Sequence, residues 1–111
     1  MKTTGDGFLV TFDAASRAVR AASDVVKAAN ATGLDVRAGI HTGEVEVRPD
    51  DVFGLPVSIA KRVCDVAEPC HVFVTEVVKL LIATSGIEME DRGEHVLKGV
   101  PGIWRLFAAR I

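Results

Sequence analysis

Apolar and polar positions follow two periods along this chain, and each period predicts an element. Lys2-Thr3-Thr4, the tripeptide Gly5-Asp6-Gly7 and the run Phe8-Leu9-Val10-Thr11-Phe12 read as a strand end, a tight turn and a second strand. That order puts the Asp6 carboxylate at a hairpin tip, where backbone can approach a phosphate or a metal closely. From Asp13 to Ala31 the period lengthens: Ala15, Ala18, Val19, Ala22, Val25, Val26 and Ala29 recur at helical steps and form one apolar stripe. Asp13 is the expected N-cap and Gly33 stands where a left-handed C-cap residue belongs. A stripe so rich in alanine implies close packing on a sheet.

Leu34 to His41 reads as a buried strand, with a bend near Gly43 and an exposed continuation through Gly43-Glu44-Val45-Glu46-Val47. Arg48-Pro49-Asp50 is expected as a loop. A second helix is predicted over Val57–Ala67, stopped by Pro69. Val72-Phe73-Val74 is a short buried strand, after which Thr75 caps a helix to about Thr84, with Glu76 in its first turn where the helix dipole favours an anion. Ser85-Gly86 ends that helix. The tail, from Ile87 to Ile111, reads as three short strands broken at Gly93 and at Val100-Pro101-Gly102. Strands and helices are interspersed without repeats or linkers, so the class is α+β in one domain, 1–111.

Composition narrows the function classes. Of 111 residues, 49% are hydrophobic and 25% charged, which is globular rather than disordered. A net charge of −2, with no block of like charges, gives no footing for nucleic acid or a membrane surface. No apolar run is long enough to span a bilayer and no basic-then-apolar leader is present, so a soluble, cytoplasmic protein is expected. Cys64 and Cys70 are too few for a disulfide framework and lack metal-ligand spacing, which reads as two reduced thiols.

Two blocks carry the candidate chemistry. Lys2-Thr3-Thr4-Gly5-Asp6-Gly7-Phe8 is the first; Asp51-Val52-Phe53-Gly54, followed by Ser58 and Arg62, is the second. Together they resemble the catalytic domain of class III nucleotide cyclases, which form cyclic AMP or cyclic GMP from the nucleoside triphosphate. The resemblance implies a ferredoxin-like sandwich, here truncated, with helices packed on a mixed sheet. It also implies an in-line attack of the ribose 3′-oxygen on the α-phosphorus, assisted by two divalent ions, Mg²⁺ or Mn²⁺.

The roles carry over residue by residue. Asp6 matches the second metal aspartate of the family. Lys2 and Asp51 match the pair that reads adenine, a cation for a ring nitrogen and an acceptor for the exocyclic amine, so ATP is the expected substrate. Arg62, eleven residues after Asp51, matches the arginine that meets the developing phosphate charge, for which a permanently charged, bidentate guanidinium is suited. Ser58 stands where the family has an asparagine that orients the ribose. Serine keeps a donor and an acceptor at shorter reach. Lys98, in Leu97-Lys98-Gly99, lies near the family's triphosphate lysine. His41, in His41-Thr42-Gly43-Glu44, is far in sequence from His71 and His95, so all three read as structural histidines.

In the family a strand bearing the first metal aspartate precedes the lysine block, and it lies between the strands matched here by Phe8–Phe12 and Leu34–His41. This sequence opens on Met1, directly before Lys2. Two repairs of the sheet are expected: the two strands close on each other as a right-handed βαβ unit, or a second chain supplies the partner. A homodimer or higher oligomer is expected because the family shares its site across a two-fold interface. With an incomplete metal site the chain alone is expected to be inactive or very weak. The alternatives are a degenerate cyclase homologue serving as a nucleotide-binding or dimerisation module, and an unrelated α+β interaction module.

Overall fold

The computed structural model describes residues 2–4, 7–9, 14–43, 46–48, 51–53 and 55–110. In chain order these form β1 (Lys2–Thr4), β2 (Gly7–Leu9), α1 (Ala15–Ala31), β3 (Ala38–Ile40), β4 (Glu46–Arg48), β5 (Asp51–Phe53), α2 (Leu55–Val66), β6 (Val72–Thr75), α3 (Glu76–Leu81), β7 (Met89–His95) and β8 (Trp104–Ala109). The main sheet has the order β3-β6-β8-β7, parallel between β3 and β6 and antiparallel elsewhere. The α+β class is therefore as expected. Strands β1 and β2 form one antiparallel hairpin, with Thr4 opposite Gly7, and β4 and β5 form another, with Arg48 opposite Asp51.

Alternation along β6 and β8 divides the core into two layers. Val72 and Val74 of β6, with Phe107 and Ala109 of β8, face one side and pack against Val19 and Val26 of α1, Val78 of α3, and Ile82. Phe73, Leu106 and Ala108 face the other, against Ile59 and Val63 of α2, Ala67, Leu97 and Val100. All four residues of β6 are buried. At about 1.5–3 kcal/mol for each large aliphatic side chain removed from water, these two layers are the main source of the fold's stability.

The α1 stripe is borne out at Val19 and Val26, both 1% exposed, but Val25 lies outside it at 59% exposed, because a residue adjacent to a buried one is turned about 100° away. The cap is Ala14, in extended conformation and without a side-chain hydrogen bond, rather than Asp13, which lies outside the described residues. The other end is as predicted. Gly33 has φ +85°, its N–H donates to Asn30 O at 3.0 Å, and Leu34 N–H donates to Ala29 O at 2.9 Å. That pair of bonds is a Schellman close, which needs the left-handed residue.

Other boundaries moved for local reasons. α2 begins at Leu55, two residues early, because Pro56 is tolerated in a first turn where its missing N–H has no partner to lose. Thr75 is the N-cap of α3, but its hydroxyl does not cap; it bonds His41 instead. α3 ends at Leu81 and gives way to turns before the close at Gly86, φ +83°. The Leu34–His41 segment is strand only over Ala38–Ile40, and the exposed continuation is a hairpin arm in which Asp51 is the first strand residue, not part of a loop. The tail holds two strands, not three: Gly93 (φ +82°) sits in a register shift between Asp91 and Glu94, a bulge that bends β7 without ending it.

Gly39 explains how α2 seats on the sheet. A Cβ there would lie 2.6 Å from Ala60 O and closer still to the backbone nitrogen of Cys64. The helix backbone thus rests directly on the strand backbone, which only glycine permits. Among the described residues β2 pairs with β1 and not with β3, so no βαβ closure is seen there. Among the described residues β3 is bonded on one side only, to β6.

Candidate active site

Helix α2 carries two of the candidate residues on one face. Ile59 and Val63 point into the core at 3% and 0% exposure, so Ser58 and Arg62, four apart and one step round, share the face beside it. Ser58 is exposed and Arg62 half-buried. Arg62 Nη1 donates to Asp65 Oδ2 at 3.1 Å, with the two side chains 33% and 51% exposed. An exposed pair of this kind contributes about 0–1 kcal/mol. A phosphate oxyanion, a stronger and bidentate acceptor, can take the guanidinium from it.

Lys98 sits at the tip of a turn closed by Val100 N–H donating to Leu97 O at 3.0 Å. Gly99, with φ +76° at the third position, is what a type II turn requires. Leu97 and Val100 are buried beneath it in the same core layer as Ile59 and Val63. Ser58, Arg62 and Lys98 are therefore all borne by elements that pack on one side of the sheet. Lys2 and Asp51 lie on strands β1 and β5, each within its own hairpin. Asp6, expected at a hairpin tip, lies outside the described residues. Among the described residues no group of three His, Cys, Asp or Glu side chains could hold a metal ion.

The histidines are held by protein groups, as expected. His71 Nδ1–H donates to Pro69 O at 2.8 Å and His95 Nε2–H to Arg92 O at 2.9 Å. His41 shares a 2.7 Å hydrogen bond with the buried Thr75 hydroxyl and meets the Trp104 ring edge-on, centroids 5.5 Å apart. Burial pushes its pKa below the usual histidine value, so the neutral ring is the form present near pH 7. Cys64 and Cys70 form no disulfide. Cys70 takes a left-handed φ of +65° with its thiol 3.2 Å from Asp35 Oδ1, and that hydrogen bond raises the thiol pKa.

Two features of the site were not visible in the sequence. Asp65 follows Arg62 by three residues, a spacing that signals a helical ion pair once the helix is assigned. His41 meets Thr75 and Trp104, 34 and 63 positions further along the chain, which no local pattern reports. Two open clefts lie elsewhere, one of about 480 Å³ between α1 and residues 85–88 and one of about 340 Å³ beside Cys70 and Arg92; neither is lined by Ser58, Arg62 or Lys98.

A mixed sheet with α2 on one layer, α1 and α3 on the other, and hairpin arms before and after β3 is the architecture of nucleotide cyclase domains. The family model of the adenylate and guanylate cyclase catalytic domain matches residues 1–108, and the chain belongs to that family. It is 35% identical over 79 residues, 68% of its length, to a pH-sensitive adenylate cyclase of Mycobacterium tuberculosis. Its fold superposes on an adenylate/guanylate cyclase/hydrolase of Silicibacter pomeroyi with a TM-score of 0.88 at 27% identity, covering 97% of this chain and 68% of that one. A rhodopsin-guanylyl cyclase catalytic core of converted specificity, solved with ATPαS, superposes at 0.75 and 25% identity, covering 96% and 63%. The chain spans between 18% and 35% of the length of the curated relatives it matches. No helix among the described residues is long and apolar enough to cross a membrane.

Proposed function

We propose that this domain belongs to an adenylate cyclase. The ribose 3′-oxygen of ATP attacks the α-phosphorus, the bond from that phosphorus to the bridging oxygen breaks, and pyrophosphate leaves as cyclic AMP forms. Arg62 meets the charge that develops on the α-phosphate, Ser58 orients the ribose and Lys98 holds the triphosphate. Lys2 and Asp51 read the adenine, and Asp6 is the metal carboxylate contributed by these residues, with Mg²⁺ or Mn²⁺ as the ion that accompanies the nucleotide. The observation that carries this reading is the placement of Ser58, Arg62 and Lys98 over one core layer, the helix face and the turn resting on the same buried side chains.

Homodimerisation completes the reading, with base-reading and arginine groups from one protomer facing the metal carboxylate of the other. A second reading, a homologue that binds nucleotide without turning it over, is favoured by the engagement of Arg62 by Asp65. Because Asp6 is the one metal carboxylate matched, the 111-residue chain alone is expected to turn over slowly or not at all.

Cyclic AMP formation at saturating MnATP, compared among the chain, Asp6→Ala and Arg62→Ala, decides between them. Slow turnover abolished by both substitutions supports the cyclase. Turnover indifferent to both shows that these residues do not form the site. Nucleotide binding without product supports the second reading.

A further inference from the structure

A lysine carries its charge on a flexible stem, so what the fold can fix for Lys98 is the place of its Cα. The turn that carries it is held at two points. From below, Leu97 and Val100, 1% and 7% exposed, are packed into the α2 core layer. Apolar burial is not directional, so those two side chains set how deep the turn sits and leave its tilt open. The tilt is set from the chain that leaves the turn. There Trp104 Nε1–H donates to Pro101 O at 3.1 Å, and a hydrogen bond fixes direction as well as distance. The donor is itself held. Its indole packs on the same core layer as Leu97 and Val100, and it meets the His41 ring edge-on, centroids 5.5 Å apart. His41 in turn shares a 2.7 Å hydrogen bond with the buried Thr75 hydroxyl at the end of β6. A continuous run of contacts thus leads from an interior strand of the sheet to the turn.

We infer that Trp104 is a positioning residue for triphosphate recognition: by donating to Pro101 O it fixes the tilt of the turn that presents Lys98. The inference rests on the assignment of Lys98 to the triphosphate. It differs from a plain core role because the indole is only half-buried and its one polar group is directed at the chain leaving the turn. Phenylalanine offers an apolar ring for the same packing without that group, so the two roles can be separated.

The test measures the affinities for ATP and AMP, and amide hydrogen exchange, in the whole chain, Trp104→Phe, Lys98→Ala and the Trp104→Phe/Lys98→Ala double variant. AMP lacks the β- and γ-phosphates and so serves as the ligand that Lys98 does not hold. Lys98→Ala should weaken ATP about tenfold, the worth of one hydrogen bond to a charged group, and leave AMP unchanged. Trp104→Phe should weaken ATP about fivefold, again without effect on AMP, and the double variant should bind ATP no more weakly than Lys98→Ala. Exchange at the Val100 amide, whose bond to Leu97 O closes the turn, should quicken in Trp104→Phe while Val72 and Val74 of β6 keep wild-type protection. If Lys98→Ala weakens ATP and Trp104→Phe does not, the positioning role is overturned and the Lys98 assignment stands. Equal losses for ATP and AMP in Trp104→Phe, or faster exchange spread to Val72 and Val74, make Trp104 a residue of the fold alone and overturn it too. If Lys98→Ala binds ATP as the wild type does, or the wild type binds no ATP, the Lys98 assignment fails and the inference falls with it.

Discussion

The two layers on either side of the sheet are built from similar side chains and are put to different use. On the α1–α3 side, Val19, Val26, Val72, Val74, Val78 and Phe107 form an aliphatic layer beneath helices that carry none of the candidate residues. On the α2 side the layer is of similar composition, but the elements over it bear Ser58, Arg62 and Lys98, and the helix lies backbone to backbone on β3 at Gly39. One side tolerates adjustment because side chains cushion the helix against the strand. The other leaves no such cushion, so its geometry is fixed more tightly than its burial alone requires.

Substitutions ranked by effect would sharpen or break that contrast. Gly39→Val should abolish cooperative folding, a loss of more than about 4 kcal/mol, since the obstructing atoms are backbone. A cooperative thermal melt near that of wild type would show that α2 can lift from β3 freely. Val78→Ala and Val63→Ala, one in each layer, should each cost about 2 kcal/mol by leaving a cavity. If the α2 layer is the stiffer, Val63→Ala should be the more damaging in urea titration; equal losses would count against the contrast.

Gly33→Ala, with φ +85° and open space around it, should cost about 1 kcal/mol, which chemical denaturation would resolve. Arg62→Ala should change stability by less than about 0.5 kcal/mol, because its pair with Asp65 is exposed. On the adenylate cyclase reading, whatever cyclic AMP formation the chain supports should fall by about a hundredfold or more in the same variant. A stability loss as large as that of a core valine would make Arg62 a structural residue.

The smallest effect is in pH. The folded-state pKa of His41 lies below that of the unfolded chain, so on acidification the unfolded state takes up the proton first. Its contribution to stability is complete above about pH 6.5 and falls away as pH drops from there toward the folded pKa. Trp104, the one tryptophan, should report the protonation as a change in emission that His41→Asn removes. Asp91 acts in a lower window. Gly93 N–H and then Arg105 lower its pKa, so its contribution is present above the ordinary aspartate value and is lost only below that, as pH falls through the folded pKa.

Elements with a strong period were legible in the sequence: α1 with its glycine close, the buried strand β6 and the hairpin around Asp6 were all expected within a few residues. The family itself was legible as well, from the two blocks around Gly5-Asp6-Gly7 and Asp51-Val52-Phe53-Gly54. Contacts between distant segments were not. Nothing near Thr75 signals that its hydroxyl turns away from α3 toward His41, and a threonine before Glu76 reads locally as a cap. Gly93 looked like a strand break because a bulge and a turn use the same left-handed residue. Gly43 to Val47 reads as a continuation of β3 beyond a bend near Gly43, and the alternation there does not tell that β4 pairs with β5 rather than with the main sheet.

The bare contact at Gly39 also governs how movement passes through the domain. Elsewhere a shift of a strand is absorbed by rotamer changes before it reaches the next layer. Here β3 and α2 touch through atoms that have no rotamers, so compliance between them is low. β3 is also the strand whose outer side is unbonded among the described residues. A displacement of that strand by a fraction of an ångström would be delivered almost undiminished to Ser58 and Arg62. The edge of the sheet and the helix face that bears Ser58 and Arg62 thus behave as two ends of one rigid lever.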